Sequence, residues 1–194
     1  MKHASIRELF AYWNLRRGAR LAPDRGDIDP AVIRGVLADT FILAFDAPDG
    51  HPLRIAGTRV GALFGRDLKG AAFVELWTTG TKALVIDLLN VVAHESIGVV
   101  ADACAETGYG TALDFELLTL PLLHRGRTDS RVLGALVPAH PPAWLGTASV
   151  GRLTLGTLRY LGPQTVAAGS PTIAPTLAGG RLRRGLMVYD GGQA

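Results

Sequence analysis

A strand–turn–strand unit followed by broken helices constrains the fold of this chain more than any other feature. Residues 40–46 are apolar and β-favouring, residues 47–50 (Ala-Pro-Asp-Gly) are typical of a turn, and residues 51–57 return as a second strand. Two short apolar segments follow, 58–65 and 71–77, and the glycine that ends the first predicts an early helix stop. This order indicates a sheet with short helices on one face.

The rest of the core reads as one longer helix and three strands. Apolar residues recur at helical spacing over about 82–93, and strands are predicted at 97–105, 111–123 and 130–137. Short polar turns between these strands predict an antiparallel meander. In the second of them the apolar positions change phase near Leu117, which predicts a β-bulge or a bend there and leaves the charged residues before it facing water.

The N-terminal segment predicts an amphipathic helix. Ser5 and Glu8 have the spacing of a capping box. The apolar residues that follow on one helical face are Ile6, Leu9, Phe10 and Trp13. This stripe either packs on its own domain or forms a homodimer interface, and the two alternatives are compatible. Asp29-Pro30 then predicts the start of a short buried helix over 31–37.

These patterns divide the chain into three parts: a helical segment over 1–37, a core over 38–140 and a C-terminal extension over 141–194. The extension contains one further strand, about 153–161, and then a Gly/Pro/Arg-rich tail that we expect to be flexible. A length of 194 residues suits one domain with extensions.

Composition excludes several classes of protein. Residues from Gly151 onward carry five arginines against one aspartate, so the tail accounts for the basic balance and the other 150 residues are nearly neutral. We therefore expect no nucleic-acid partner. The chain has neither a continuous apolar leader nor a run long enough to cross a membrane, so we expect a soluble, cytoplasmic protein with no membrane partner.

Motifs for catalysis are missing. The segment 146–151 lacks the spacing of a hydrolase elbow, and neither a phosphate-binding loop nor a metalloprotease motif is found. We expect no enzyme activity. Cys104 is the sole cysteine, which excludes an internal disulfide, and its place in a predicted strand suggests a small buried side chain.

The order of elements resembles the PAS domain, a small sensor and interaction fold. The segments 54–60, 63–70 and 76–77 form an R-x-x-G-T…L-F-G-R-x-L-x-G…L-W stretch that is similar to a proteobacterial family of single-domain PAS-like proteins. The resemblance implies an α+β fold with a five-stranded antiparallel sheet, short helices on one face and an N-terminal helix. It also implies a sensor or interaction protein in bacterial signal transduction.

A PAS fold implies a small pocket between the sheet and its helices. Its candidate ligand-binding residues here are Arg54, Leu63, Trp77, Leu84, Leu88, His94 and Phe115, and Ile55 and Leu133 are expected beside them. The apolar members are equally explained as core. Arg54 would hold a ligand carboxylate or an internal partner such as Asp39 or Glu75, and internal pairing is favoured.

Three functions follow from this resemblance. The first is a non-catalytic sensor that binds a small ligand, a signalling partner, or both. The second is an interaction module whose interior is filled by its own side chains. The third is a haem-based gas or redox sensor with His94 as iron ligand, although a histidine at a helix end commonly only caps it. Flavin photochemistry is excluded because the helix after the second strand has no cysteine.

Overall fold

The protein is described by a computed structural model, which covers residues 1–46, 48–108, 110–124, 126–140, 148–161, 181–183 and 186–188. The helices are α1 (Ala4–Arg17), α2 (Thr58–Phe64) and α3 (Lys82–Glu95). The strands are β1 (Thr40–Ala44), β2 (Leu53–Ala56), β3 (Gly98–Glu106), β4 (Ala112–His124), β5 (Arg127–Pro138), β6 (Thr154–Leu161), β7 (Arg181–Arg183) and β8 (Leu186–Val188).

Six antiparallel strands form one sheet in the order β2-β1-β5-β4-β3-β6. The first five match the expected five-stranded sheet, and β6 is the further strand predicted near 153–161, paired to the edge of β3. Strands β7 and β8 form a separate two-stranded ribbon. The flexible tail predicted beyond residue 161 lies mostly outside the described residues.

Both faces of the sheet are covered. On the inner face, α2, α3 and a 3₁₀ turn at Phe73–Leu76 pack on side chains such as Phe41, Leu117 and Leu136. On the outer face, α1 packs on a second cluster that includes Leu118, Leu120 and Leu122. The sheet is therefore the middle layer between two apolar cores.

Strand β4 has no bulge near Leu117, and the two-sided burial of the sheet explains the change of phase that suggested a bulge or a bend there. The pairing of β4 with β3 and β5 is regular through Leu117, and the register shifts only between Leu122 and His124. The apolar phase changes because the strand passes from a half covered on one face to a half covered on both. Glu116, expected to face water, is instead buried on the outer face.

Glu116 fixes the start of α1. Its carboxylate accepts the backbone N–H of Lys2 at 2.7 Å and that of His3 at 2.7 Å. The helix begins at Ala4, and the His3 imidazole, as N-cap, accepts the N–H of Ser5 at 3.2 Å. The capping box predicted from Ser5 and Glu8 is therefore wrong, because the helix starts before Ser5.

The apolar stripe of α1 packs within the chain. Ile6, Leu9 and Trp13 are buried on the outer face of the sheet, Phe10 is half-buried beside them, and the Trp13 indole N–H donates to Pro121 O at 2.9 Å. These contacts agree with the first predicted alternative, in which the apolar stripe packs on its own domain. The homodimer stays a prediction.

The segment between α1 and β1 differs from the expected helix. Residues 30–36 form a series of turns and 37–39 one 3₁₀ turn. Asp29 does cap the chain, since its carboxylate accepts the N–H of Ala31 at 2.9 Å. Helix propensity is low in a short segment containing Gly35, and the segment's shape follows the sheet surface that it covers.

Candidate functional site

The pocket expected between the sheet and the inner helices is filled. Leu63, Trp77, Leu88 and Phe115 are at most 2% exposed and belong to one apolar cluster, with Leu84 packed against it. The rings of Phe41 and Phe73 are 5.2 Å apart, and those of Phe73 and Trp77 are 5.8 Å apart. The structure therefore brings together the apolar candidates as core.

One polar atom in this interior is unusual. The indole N–H of Trp77 is buried and has no hydrogen-bond partner among the described residues. The backbone around it is held firmly, because Leu153 N–H donates to Leu76 O and Leu153 O accepts from Thr78 N–H, both at 2.8 Å. An unpaired buried donor costs stability, and packing of the ring keeps it in place.

Arg54 does not enter the interior and has neither predicted partner. It is exposed on the edge strand β2, whereas Asp39 is taken by Arg59 and Glu75 by Lys82. Arg59 Nε lies 2.6 Å from Asp39 Oδ1 and Arg59 Nη2 lies 2.8 Å from Oδ2, which is a bidentate pair. The reason is position: Arg59 stands in the first turn of α2, directly above the buried carboxylate.

His94 also lies outside the interior. It is exposed at the end of α3, its Nδ1 is 3.1 Å from Asn90 O, and its ring meets Phe45 edge-on at 5.1 Å between centroids. This arrangement offers no iron ligand to an interior haem. Among the described residues no group of three or more His, Cys, Asp or Glu is placed to hold a metal.

Two further predictions about side-chain direction are corrected. Cys104 is exposed, because Ala103 and Ala105 on either side of it face the inner core and the strand alternates. Ile55 and Leu133, expected in the interior, face outward instead: Ile55 pairs with Ile42, which belongs to the outer cluster together with Leu133.

An open apolar cavity lies on that outer face. It has a volume of about 480 Å³ between the turn segment 25–38 and strands β2, β1 and β5. We call it the outer groove. Its apolar lining includes Ile28, Ile33, Leu37, Ile42, Ile55 and Leu133, and its charged lining is Arg25 and Arg34. Ile55 is 44% exposed, so the groove opens to solvent at the free edge of the sheet.

The segment that roofs the outer groove is tied to both neighbouring helices. On the α1 side, the Tyr12 hydroxyl donates to Asp27 O at 3.2 Å and accepts the Asp29 N–H at 2.8 Å. On the α2 side, the Asp39–Arg59 pair closes the segment onto the sheet. A change in the groove would therefore act on α1 and α2 together.

Arginine is in excess around the outer groove. The guanidinium groups of Arg25 and Arg34 have no hydrogen bond or ion pair with any residue that the structure describes. Arg131 shares the outer face with Leu133, and its pKa is lowered first by burial and then by repulsion from Arg54. Neither Arg25 nor Arg34 therefore has an ion-pair partner within the described part of the chain.

Comparison with known proteins decides the family. The model of the PAS domain matches residues 1–137, which is most of the chain. The chain belongs to the PAS domain family. A PAS domain is a sensor or interaction module, and the sheet and helices found here have the α+β form of that fold.

A solved PAS domain of a protein from Colwellia psychrerythraea is similar to the chain at 14% identity, with a TM-score of 0.42, over 57% of this chain and 97% of that one. No curated protein matches. In the described residues, no helix of this PAS protein is long and apolar enough to span a membrane.

The outer groove of this PAS domain was not predicted from the sequence. Arg54 and Ile55, from the motif stretch 54–60, were expected in the interior, yet both are exposed on β2 and Ile55 lines the outer groove. One sequence signal was present: residues 30–37 carry apolar side chains in a turn-forming segment, which is unusual unless they cover another surface.

Proposed function

We propose that the protein is a non-catalytic sensor module of bacterial signal transduction that binds its ligand in the outer groove. The observation that carries this proposal is the contrast between the two faces. The inner face is filled by the chain's own side chains, whereas the outer face has an open apolar cavity of about 480 Å³. Cavities of this size and lining commonly hold small molecules.

The proposed mechanism is a population shift. A ligand beneath the segment 25–38 favours one position of that segment over others, in proportion to its difference in affinity for them. The Tyr12 and Asp39–Arg59 contacts pass this bias to α1 and α2. A signalling partner then recognises the altered surface.

A fluorescence titration with N-phenyl-1-naphthylamine, a neutral apolar dye, tests the site. Ile55→Asp places a charge in the groove, and Ile86→Asp is the matched control because Ile86 is an exposed isoleucine (37%) on α3. The wild type and Ile86→Asp should bind the dye, and Ile55→Asp should lose it. Absence of binding, or binding that Ile55→Asp leaves intact, would overturn the proposal.

A second candidate, favoured by the filled interior, is an interaction module without any ligand. In this candidate function, the exposed face of α1 is the proposed surface for a partner or a second copy, and Leu15 on that face is 77% exposed. Light scattering tests the homodimer: Leu15→Glu should give monomers from a dimeric wild type. An unchanged mass would remove this face of α1 from the interface.

A further inference from the structure

The charges around the outer groove narrow the class of ligand. Arg25 and Arg34 line it. Arg131, on the outer face of β5, is close enough to Arg54 of β2 for their charges to repel, although neither lines the groove. An arginine side chain at the rim of an apolar cavity can bind a carboxylate through its paired N–H donors. The aspartates of the neighbouring segment 24–39 already have partners.

Each aspartate near the groove already has a partner. Asp27 pairs with Arg20 at 2.8 Å and Asp39 with Arg59 at 2.6 Å. The carboxylates of Asp24 and Asp29 accept backbone N–H groups within their own turns, at 3.0 and 2.9 Å. Glu8 of α1 comes near the backbone at Gly35 and forms no ion pair among the described residues.

Most of the remaining lining is aliphatic; the exceptions are Thr58 and Thr40, whose hydroxyl donates to Leu37 O at 2.9 Å. Ile28, Ile33, Leu37, Ile42, Ile55 and Leu133 present no polar side-chain atom. An apolar tail fits this surface, and an anionic head group fits the arginines at its rim. A cationic molecule does not fit the arginines, and a polar molecule without an apolar part does not fit the aliphatic surface.

Resting on the proposed function, we propose that the outer groove binds a free medium-chain carboxylate. The carboxylate pairs with Arg34 and Arg25, and the alkyl chain lies along the isoleucines of the sheet. Binding is reversible and involves no covalent step. The ligand class follows from charge complementarity at one end of the cavity and from apolar lining at the other.

Isothermal titration calorimetry with decanoate, below its micellar concentration, tests this class. Decanol carries the same tail without charge and should bind about tenfold more weakly, because it loses the charge-assisted hydrogen bonds. Octanoate, two methylenes shorter, should bind about fifteenfold more weakly than decanoate.

Variants locate the head group. Arg34→Gln should weaken decanoate binding about tenfold and leave decanol binding unchanged. Arg66→Gln is the control, since Arg66 is exposed in the loop after α2 and does not line the groove. The two unfolding midpoints should agree, which separates a binding effect from a folding one.

The outcomes separate the ligand class from the function. Equal binding of decanoate and decanol, with no effect of Arg34→Gln, would overturn the carboxylate and leave the groove as an apolar site. Failure of both compounds to bind, together with failure of the neutral dye, would overturn the groove as a ligand site altogether. Binding of decanoate only when it is part of a vesicle would assign the face to a membrane and overturn the free carboxylate.

Discussion

The Asp39–Arg59 pair should stabilise the fold through a measurable coupling. Asp39 is 4% exposed at its side chain, and Arg59, which provides both of its hydrogen bonds, is 46% exposed. Removing Arg59 leaves a buried carboxylate without a partner. Such a loss costs about 3–5 kcal/mol for a fully buried pair, and solvent at the arginine reduces the expected cost to about 2–4 kcal/mol.

A double-mutant cycle measures this coupling. Urea unfolding of Arg59→Gln, Asp39→Asn and the double variant should show a coupling energy of about 1.5–3 kcal/mol, because the second change costs little once the first is made. For a chain of this length, Arg59→Gln should lower the thermal midpoint by about 5–15 °C. Arg66→Gln, an exposed arginine without this partner, should change stability by less than about 0.5 kcal/mol.

Additive effects of the two substitutions, within about 0.5 kcal/mol, would refute the reasoning. They would mean that Asp39 is satisfied without Arg59. The roof of the outer groove would then not be tied to α2, and the proposed transmission to that helix would lose its contact.

Three further predictions concern single positions. Gly57→Ala should destabilise the protein by about 3 kcal/mol in urea unfolding, because the new Cβ would overlap the backbone carbonyl of Ala38. Gly80→Ala, with open space around it, should be nearly neutral, and equal effects of the two substitutions would contradict this. Burial lowers the pKa of His51, so the unfolded chain binds more protons than the folded protein below about pH 6.5. The free energy of unfolding should therefore fall as the pH drops from there towards the folded pKa. His51→Asn should flatten that part of the stability–pH curve, and an unchanged slope would contradict this reasoning. Trp77→Phe should cost less than about 2 kcal/mol, because it removes an unpaired indole N–H along with some packing, and a loss above about 3 kcal/mol would indicate an acceptor for that N–H.

The sequence was sufficient for the elements that repeat with a clear period. The strand–turn–strand unit, α3 and the meander follow from apolar spacing, and the structure has them in the predicted order. Helix α3 at Lys82–Glu95 differs from its predicted range by two residues at the end. The secondary structure of such segments follows from the apolar spacing within each segment alone.

The errors occur where a second layer acts on a segment. The phase change in β4 looked like a bulge because nothing in that strand reports that α1 covers Leu118 and Leu120. The partner of Asp39 was missed because Arg54 is nearer to it in sequence than Arg59, and only the path of the chain through Gly57 brings Arg59 to the carboxylate.

The outer groove was missed for a related reason. From the sequence, the side chain of Ile55 was expected to face the interior. The register shift between β1 and β2 helps to determine which side chains of β2 face outward. An apolar residue on an edge strand has two equally plausible directions until the pairing is known.

Hydrogen–deuterium exchange with the neutral dye bound distinguishes the two faces of the sheet, because it reports the position of the ligand irrespective of its charge. If the dye lies in the outer groove, exchange should slow in residues 25–39 and in β2, and the exchange of α3 should be unchanged. Slower exchange in α3, with residues 25–39 unaffected, would place the ligand on the inner face of the sheet and contradict the account.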